Sequence, residues 1–187
     1  MVPGTSVGPT FWRRTVPTAS QRCSGTASIP PFGRIKDFMS TPSITLVPAK
    51  LEDMDALANL RIEAMRESLQ RIGRFDPARA RARFTKAFNP AHTRHIELNG
   101  KRVGFLVVTR SEDSLSLDHL YLQPASQGMG IGAYVLGVIF KEADDEKLQV
   151  KVGALKQSDS NRFYIRHGFR LIEESEFDNY YTRPKAH

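Results

Sequence analysis

Residues 120–133 read Leu-Tyr-Leu-Gln-Pro-Ala-Ser-Gln-Gly-Met-Gly-Ile-Gly-Ala. An apolar strand passes through a proline link into a glycine-rich turn, and the turn opens a helix predicted over Ile131 to about Asp144. Gly128, Gly130 and Gly132 alternate with bulkier residues; glycine admits positive φ and lets a ligand approach the backbone closely. A helix that starts there presents unpaired N–H groups and the positive end of its dipole. Such a turn cradles an anion, most often a phosphate or pyrophosphate. Other readings compete. A tight strand–helix turn that binds nothing has the same local composition. A Walker loop ends in Gly-Lys-Ser/Thr, whereas Gly132 is followed by Ala133-Tyr134. A Rossmann loop is spaced Gly-x-Gly-x-x-Gly and expects an acidic residue about 20 positions on. Here the spacing is Gly-x-Gly-x-Gly, and residues 147–154 hold no Asp or Glu.

The spacing Gln127-x-x-Gly130-x-Gly132 resembles the acetyl-CoA loop of the GNAT superfamily of N-acetyltransferases, Arg/Gln-x-x-Gly-x-Gly/Ala. In that family the loop follows a Leu-x-Val strand and a short link that often carries proline; Leu120-Tyr121-Leu122-Gln123-Pro124 is similar. A second block, Phe163-Tyr164-Ile165-Arg166-His167-Gly168-Phe169, resembles the family's Phe/Leu-Tyr-x-x-x-Gly-Phe at the expected distance downstream. Two motifs in order are far more specific than either alone. The resemblance covers about residues 43–187.

Composition sets the frame. The 187 residues are 40% hydrophobic and 25% charged, ordinary for one soluble domain with a real core. No apolar run approaches the roughly 18 residues needed to cross a bilayer, so no membrane partner is expected. The single cysteine, Cys23, excludes an internal disulfide and suits a reducing compartment, the cytoplasm. The formal charge of +7 divides unevenly. Residues 1–42 hold Arg13, Arg14, Arg22, Arg34 and Lys36 against Asp37, a net +4, which leaves +3 for the rest. No dense Lys/Arg run with interleaved aromatics follows, so no nucleic-acid partner is expected.

Residues 1–42 also contain six of the eleven prolines and no acidic residue before Asp37. A segment with so little sustained hydrophobic pattern does not offset its ordering entropy, and disorder is expected. It reads either as an organelle transit segment or as an upstream extension ahead of Met39, the latter being favoured because Met39-Ser40-Thr41 directly precedes the first strand. From Ser43 onward the pattern is regular. It comprises a strand at Ile44–Val47, a helix from about Asp53 to Leu69, and a helix opened by Asp76-Pro77, whose Arg79, Arg81 and Arg83 read as a solvated face. Strands follow at His95–Leu98, Val103–Val108 and Leu115–Leu122, with Asn99-Gly100 a hairpin turn. After the glycine loop and its helix come a strand at Leu148–Gly153, a helix from about Asp159 to His167, a strand from Phe169, and a last one at Asn179–Thr182. The order β-α-α-β-β-β-α-β-α-β-β is an α+β pattern. The resemblance implies a mixed, mostly antiparallel central sheet with helices on both faces, whose two central strands splay apart to admit acetyl-CoA.

The resemblance also implies a reaction: an acetyl group moves from acetyl-CoA, as co-substrate, to an amine by direct attack, with no metal. The amine must be neutral and the leaving thiolate needs a proton. Tyr164 matches the family's tyrosine near the CoA sulfur, and a phenol with a pKa of about 10 can protonate a thiolate. Packing between Phe163 and Phe169 is its other reading. Candidate bases are Asp118 and His119, which simple strand alternation sends to opposite faces; His119 has the better intrinsic pKa near neutrality. Water relays could replace both. For the cofactor, the backbone of Gln127, Gly128, Met129, Gly130, Ile131, Gly132 and Ala133 would hold the pyrophosphate, and the edge of Leu120, Tyr121 and Leu122 would pair with the pantetheine amides. Many relatives carry an Asn just before the Phe-Tyr block; Ser158 or Asn161 would stand in for it here. Acceptor selection falls to the first two helices, with Arg61, Glu63, Arg66 and Glu67 as candidates, although charges on a helix are most simply solvated. A homodimer is left open. The competing function is a non-catalytic acyl-CoA-binding or sensor domain.

Overall fold

The computed structural model describes residues 42–185. The expectation for residues 1–42 therefore lies, Pro42 apart, outside the described residues. The elements are β1 (Ile44–Pro48), α1 (Met54–Arg71), α2 (Pro77–Ala87), β2 (Thr93–Leu98), β3 (Lys101–Arg110), β4 (Ser114–Leu122), α3 (Ile131–Asp145), β5 (Gln149–Leu155), α4 (Ser160–Arg166), β6 (Arg170–Glu174) and β7 (Asp178–Arg183). Their order is the expected one. Short 3-10 turns at Leu51–Asp53, Pro90–His92 and Pro124–Ser126 are additions.

Local chemistry explains several boundaries. Asp76 Oδ1 accepts from the Arg79 N–H at 2.9 Å, and Pro77 fills the first helical position of α2. Asn99 and Gly100 both take positive φ, 52° and 76°, as a two-residue hairpin turn requires. Arg79 and Arg83 are exposed, but Arg81 is not simply solvated. It pairs with Asp55 at 3.1 Å and with Asn59, tying α2 to α1.

The seven strands form one sheet in the order β1-β2-β3-β4-β5-β7-β6. Every neighbouring pair is antiparallel except β4 and β5, which run parallel on either side of the α3 crossover. One face packs on α3 and α4, through Val135, Leu136, Ile139 and Tyr164. The other packs on α1 and α2, through Leu57, Ala58 and Phe84 against Phe105. Helices thus cover both faces, as expected.

Two irregularities position the site. First, β4 and β5 pair only from Ser114–Leu117 to Gln149–Val152, although β4 continues to Leu122 and β5 to Leu155. Beyond Leu117 the strands part. Second, β4 carries a bulge: Val107 pairs with His119 and Val108 with Leu117, leaving Asp118 as the extra residue. The bulge shifts the alternation by one. Leu115 and Leu117 face the α3 side, and so do Leu120 and Leu122, while Tyr121 joins the α1–α2 cluster. Asp118 and His119 consequently share the α1–α2 face, which corrects the expectation of opposite faces.

Candidate active site

Where β4 and β5 part, a cleft of about 280 Å³ opens. Its floor is Leu117–Leu122 of β4 and Gly153–Leu155 of β5; α1 supplies one wall with Met65, Glu67, Ser68 and Arg71, and the segment before α4 the other. Between Asp118 and Leu122 the β4 backbone bonds β3 on one side and has no β5 partner on the other. The edge of Leu120 and Tyr121 is therefore open to any ligand with amide groups. Gln127 lines the cleft and donates its Nε2 to the Leu122 carbonyl at 3.2 Å.

The glycine loop lies at the end of β4. Gly128 and Gly130 take φ of 75° and 78°, the left-handed region that favours glycine. Gly130 is the N-cap of α3, with no side-chain cap and no acidic residue in the first turn. The first intrahelical bond runs from the Tyr134 N–H to the Gly130 carbonyl at 3.1 Å. Helix geometry then leaves the N–H groups of Ile131, Gly132 and Ala133 without intrahelical acceptors. Met129 projects from the loop, 61% exposed. Gly132 has a different reason to be glycine than close ligand approach: a Cβ there would lie 3.2 Å from Phe163 Cζ, so its absence lets α3 pack against α4.

Tyr164 lies on α4, buried and on the cleft lining. Phe163 and Phe169 hold its ring edge-on, each with centroids 5.4 Å away. Burial pushes its phenol well above the ordinary range, reinforced by nearby Tyr121. It stays protonated at every physiological pH and so keeps a proton to donate. Both readings of Tyr164, packing and proton donor, are thus compatible with one placement.

The two candidate bases differ. Asp118 is exposed, lines the cleft, and accepts from Thr109 Oγ1 at 2.8 Å. His119 also lines the cleft, but its ring sits among Phe84, Phe105 and Tyr121 with centroids 5.5 to 6.3 Å away. Desolvation, helped by the Arg61 charge, lowers its pKa to about 4. The advantage expected for His119 near neutrality is therefore absent: it is a neutral imidazole and a weak base.

Of the two residues expected to replace the missing Asn, Ser158 lines the cleft but spends its hydroxyl on the Leu155 carbonyl at 2.6 Å and on Ser160. Asn161 is committed elsewhere. Its Nδ2 donates to the carbonyls of Leu155 and Ser158, each at 2.9 Å, and its Oδ1 accepts from Asn179 at 2.9 Å and Tyr181 at 2.8 Å. This amide ties α4 to β5 and β7, and no donor remains for a cofactor.

Among the α1 charges, Glu67 reaches the cleft, Glu63 is exposed, and Arg66 covers the Phe75 ring at 4.9 Å. Sequence reasoning missed Arg71, which pairs with Glu67 at 2.9 Å and donates to the Gln157 carbonyl at 3.2 Å, spanning from α1 to the loop before α4. Only proximity across 86 positions reveals it. It also missed Met65, whose sulfur accepts the Tyr121 hydroxyl at 3.1 Å. Among the described residues, no cluster of His, Cys, Asp or Glu could hold a metal ion, and no helix is long and apolar enough to cross a membrane.

Comparison with known proteins agrees with this geometry. Residues 90–171 match the model of the acetyltransferase (GNAT) domain. The PaiA N-acetyltransferase of Thermoplasma acidophilum, solved with coenzyme A, superposes with a TM-score of 0.64 at 15% identity, covering 76% of this chain and 99% of that one. An acetyltransferase of Thermus thermophilus gives 0.61 at 18% identity, over 76% and 97%. The apo form of YjaB from Escherichia coli gives 0.61 at 15% identity, over 77% and 99%. At such identities the likeness is one of fold. Curated protein sequences yield no significant match. Residues 90–171 thus match a GNAT acetyltransferase domain, and the fold around them is similar to that of solved acetyltransferases.

Proposed function

We propose that the protein transfers an acetyl group from acetyl-CoA to the nitrogen of an amine by direct attack. The observation that carries this reading is a cleft lined by the open β4 edge, Gln127 and Tyr164, with the uncapped α3 N-terminus following directly in the chain after Gln127. The coenzyme A bound to the structurally similar PaiA protein supports the choice of co-substrate.

In this reading the N–H groups from Gly128 to Ala133 receive the pyrophosphate, as helix N-termini commonly do, while the Gln127 N–H is already spent on the Pro124 carbonyl at 3.2 Å. The free edge of Leu120–Leu122 pairs with the pantetheine amides. Acetyl-CoA supplies the activated thioester. Asp118, directly or through a water, takes the proton from the incoming ammonium and leaves a neutral amine. The C–N bond forms, the C–S bond breaks, and Tyr164 donates its proton toward the departing sulfur. His119 is not assigned the base, because its ring is packed among Phe84, Phe105 and Tyr121, whereas the Asp118 carboxylate is exposed on the cleft. The protein would work as a soluble enzyme of the cytoplasm.

Calorimetry with acetyl-CoA, followed by an assay for free CoA over an amine panel, tests the proposal. Gly130→Asp places a side chain at φ 78° and a negative charge at the mouth of the helix. It should weaken acetyl-CoA binding at least about tenfold, or roughly 1.4 kcal/mol. Unchanged affinity in a folded variant would remove the loop from the site. Binding without CoA release for any amine would favour the non-catalytic, acyl-CoA-sensing alternative.

A further inference from the structure

One turn along α1 from the cleft-lining Met65 lies a cation without a counter-charge. Arg61 is partly buried, its Nε is enclosed without a hydrogen-bond partner, and among the described residues no carboxylate pairs with it. Its guanidinium lies 5.9 Å from the centre of the Tyr121 ring. His119 packs beside Tyr121, 5.5 Å between ring centres, and its Nδ1 is likewise enclosed and unpartnered. Tyr121 and His119 both line the cleft. The nearby acids are already engaged: Glu67 with Arg71 at 2.9 Å, and Asp118 with Thr109 at 2.8 Å.

A partly desolvated guanidinium without a counter-charge is costly, as is a buried nitrogen without a partner. The planar fork of arginine matches a carboxylate with two parallel hydrogen bonds, which a neutral amide cannot reproduce in charge. We infer that the acetyl acceptor is an amine that also bears a carboxylate, and that Arg61 receives this carboxylate beside Tyr121, at the edge of the cleft, with His119 Nδ1 as a second donor. The inference rests on the acetyl-transfer reading above. It makes Arg61 and His119 specificity residues and leaves the chemistry to Asp118 and Tyr164.

The test uses matched acceptor pairs, small amino acids and ω-amino acids against their carboxamides, with CoA release measured at saturating acetyl-CoA. The full-length protein should turn over the carboxylate member with a kcat/KM at least about tenfold higher. In Arg61→Gln the ratio within each pair should collapse toward one, chiefly through KM. Arg61→Lys keeps a point charge without the fork and should retain part of the preference, and it serves as the comparison if Arg61→Gln fails to fold. Equal turnover within pairs, a preference that survives Arg61→Gln, or acetyl-CoA binding with no turnover of any carboxylate member would overturn the inference. Failure of acetyl-CoA to bind would overturn the underlying reading of the cleft instead.

Discussion

Tyr164 and His119 show how burial assigns opposite uses to two titratable side chains in one cleft. Desolvation favours the neutral form of each. For the phenol this locks the proton on, so Tyr164 keeps an O–H to donate; for the imidazole it drives the proton off. Tyr164→Phe keeps the ring between Phe163 and Phe169 and removes only the donor. Where chemistry limits the rate, turnover should fall roughly 10²-fold with acetyl-CoA affinity little changed. A wild-type rate would hand the proton to solvent or to another group. His119 makes a separate prediction in acid. Its ordinary pKa of 6.5 becomes about 4 in the folded protein. Between those values the unfolded chain binds a proton that the folded chain does not, so stability falls as pH falls from 6.5 to 4. Melting curves over that window should show His119→Gln losing less with acid than the wild type. Asp53 acts lower on the scale. His95 Nε2 at 2.9 Å, the Lys50 N–H at 2.8 Å and Arg102 at 2.7 Å hold its carboxyl well below the ordinary 3.8. Its contribution is present above about 3.8 and is lost as pH drops further.

At the scale of elements, the site depends on where β4 ends and how it turns. Gly104 of β3 lies directly beneath that end. A Cβ there would meet the Tyr121 carbonyl oxygen at 2.3 Å and Leu122 Cδ2 at 2.7 Å. Neither the backbone oxygen nor the tightly held strand can yield cheaply. Gly104→Ala should cost about 1–3 kcal/mol in denaturant unfolding, the range typical of overpacking. It should also weaken acetyl-CoA binding, because the displaced residues form the open edge of the cleft. Full stability in Gly104→Ala would mean that the β3–β4 pair slides without strain. The bulge at Asp118 has the complementary effect. It turns Asp118 and His119 onto one face and still returns Leu120 and Leu122 to the α3 core. One extra residue thus supplies two polar groups to the cleft without removing two leucines from the interior.

For the whole molecule, the expectation is that the domain folds from β1 onward. β1 pairs along its full length with β2, from Ile44 opposite Leu98 to Pro48 opposite Arg94. The composition of residues 1–38 offers little apolar surface for a core. A chain beginning at Met39 should therefore keep its melting temperature and its affinity for acetyl-CoA. A large drop in either would show that the first 38 residues contribute to the domain.

The order of strands and helices, the glycine loop and the Phe-Tyr block were all legible along the chain, because each depends on local periodicity, turn chemistry or fixed spacing. Asp76-Pro77, Asn99-Gly100 and Gly130 carry their backbone geometry in their own covalent structure. What needed the tertiary structure depends on distant neighbours. Strict alternation cannot foresee the bulge at Asp118, which exists only in register with Val107 and Val108. A free asparagine amide cannot be distinguished in a string from one, such as that of Asn161, saturated by Asn179 and Tyr181. His119 owes its lowered pKa to Phe84, Phe105 and Arg61, which reach it from α2, β3 and α1. Local pattern follows from bonds between neighbours in sequence, whereas solvation, charge balance and hydrogen-bond saturation are properties of the space that only the folded chain encloses.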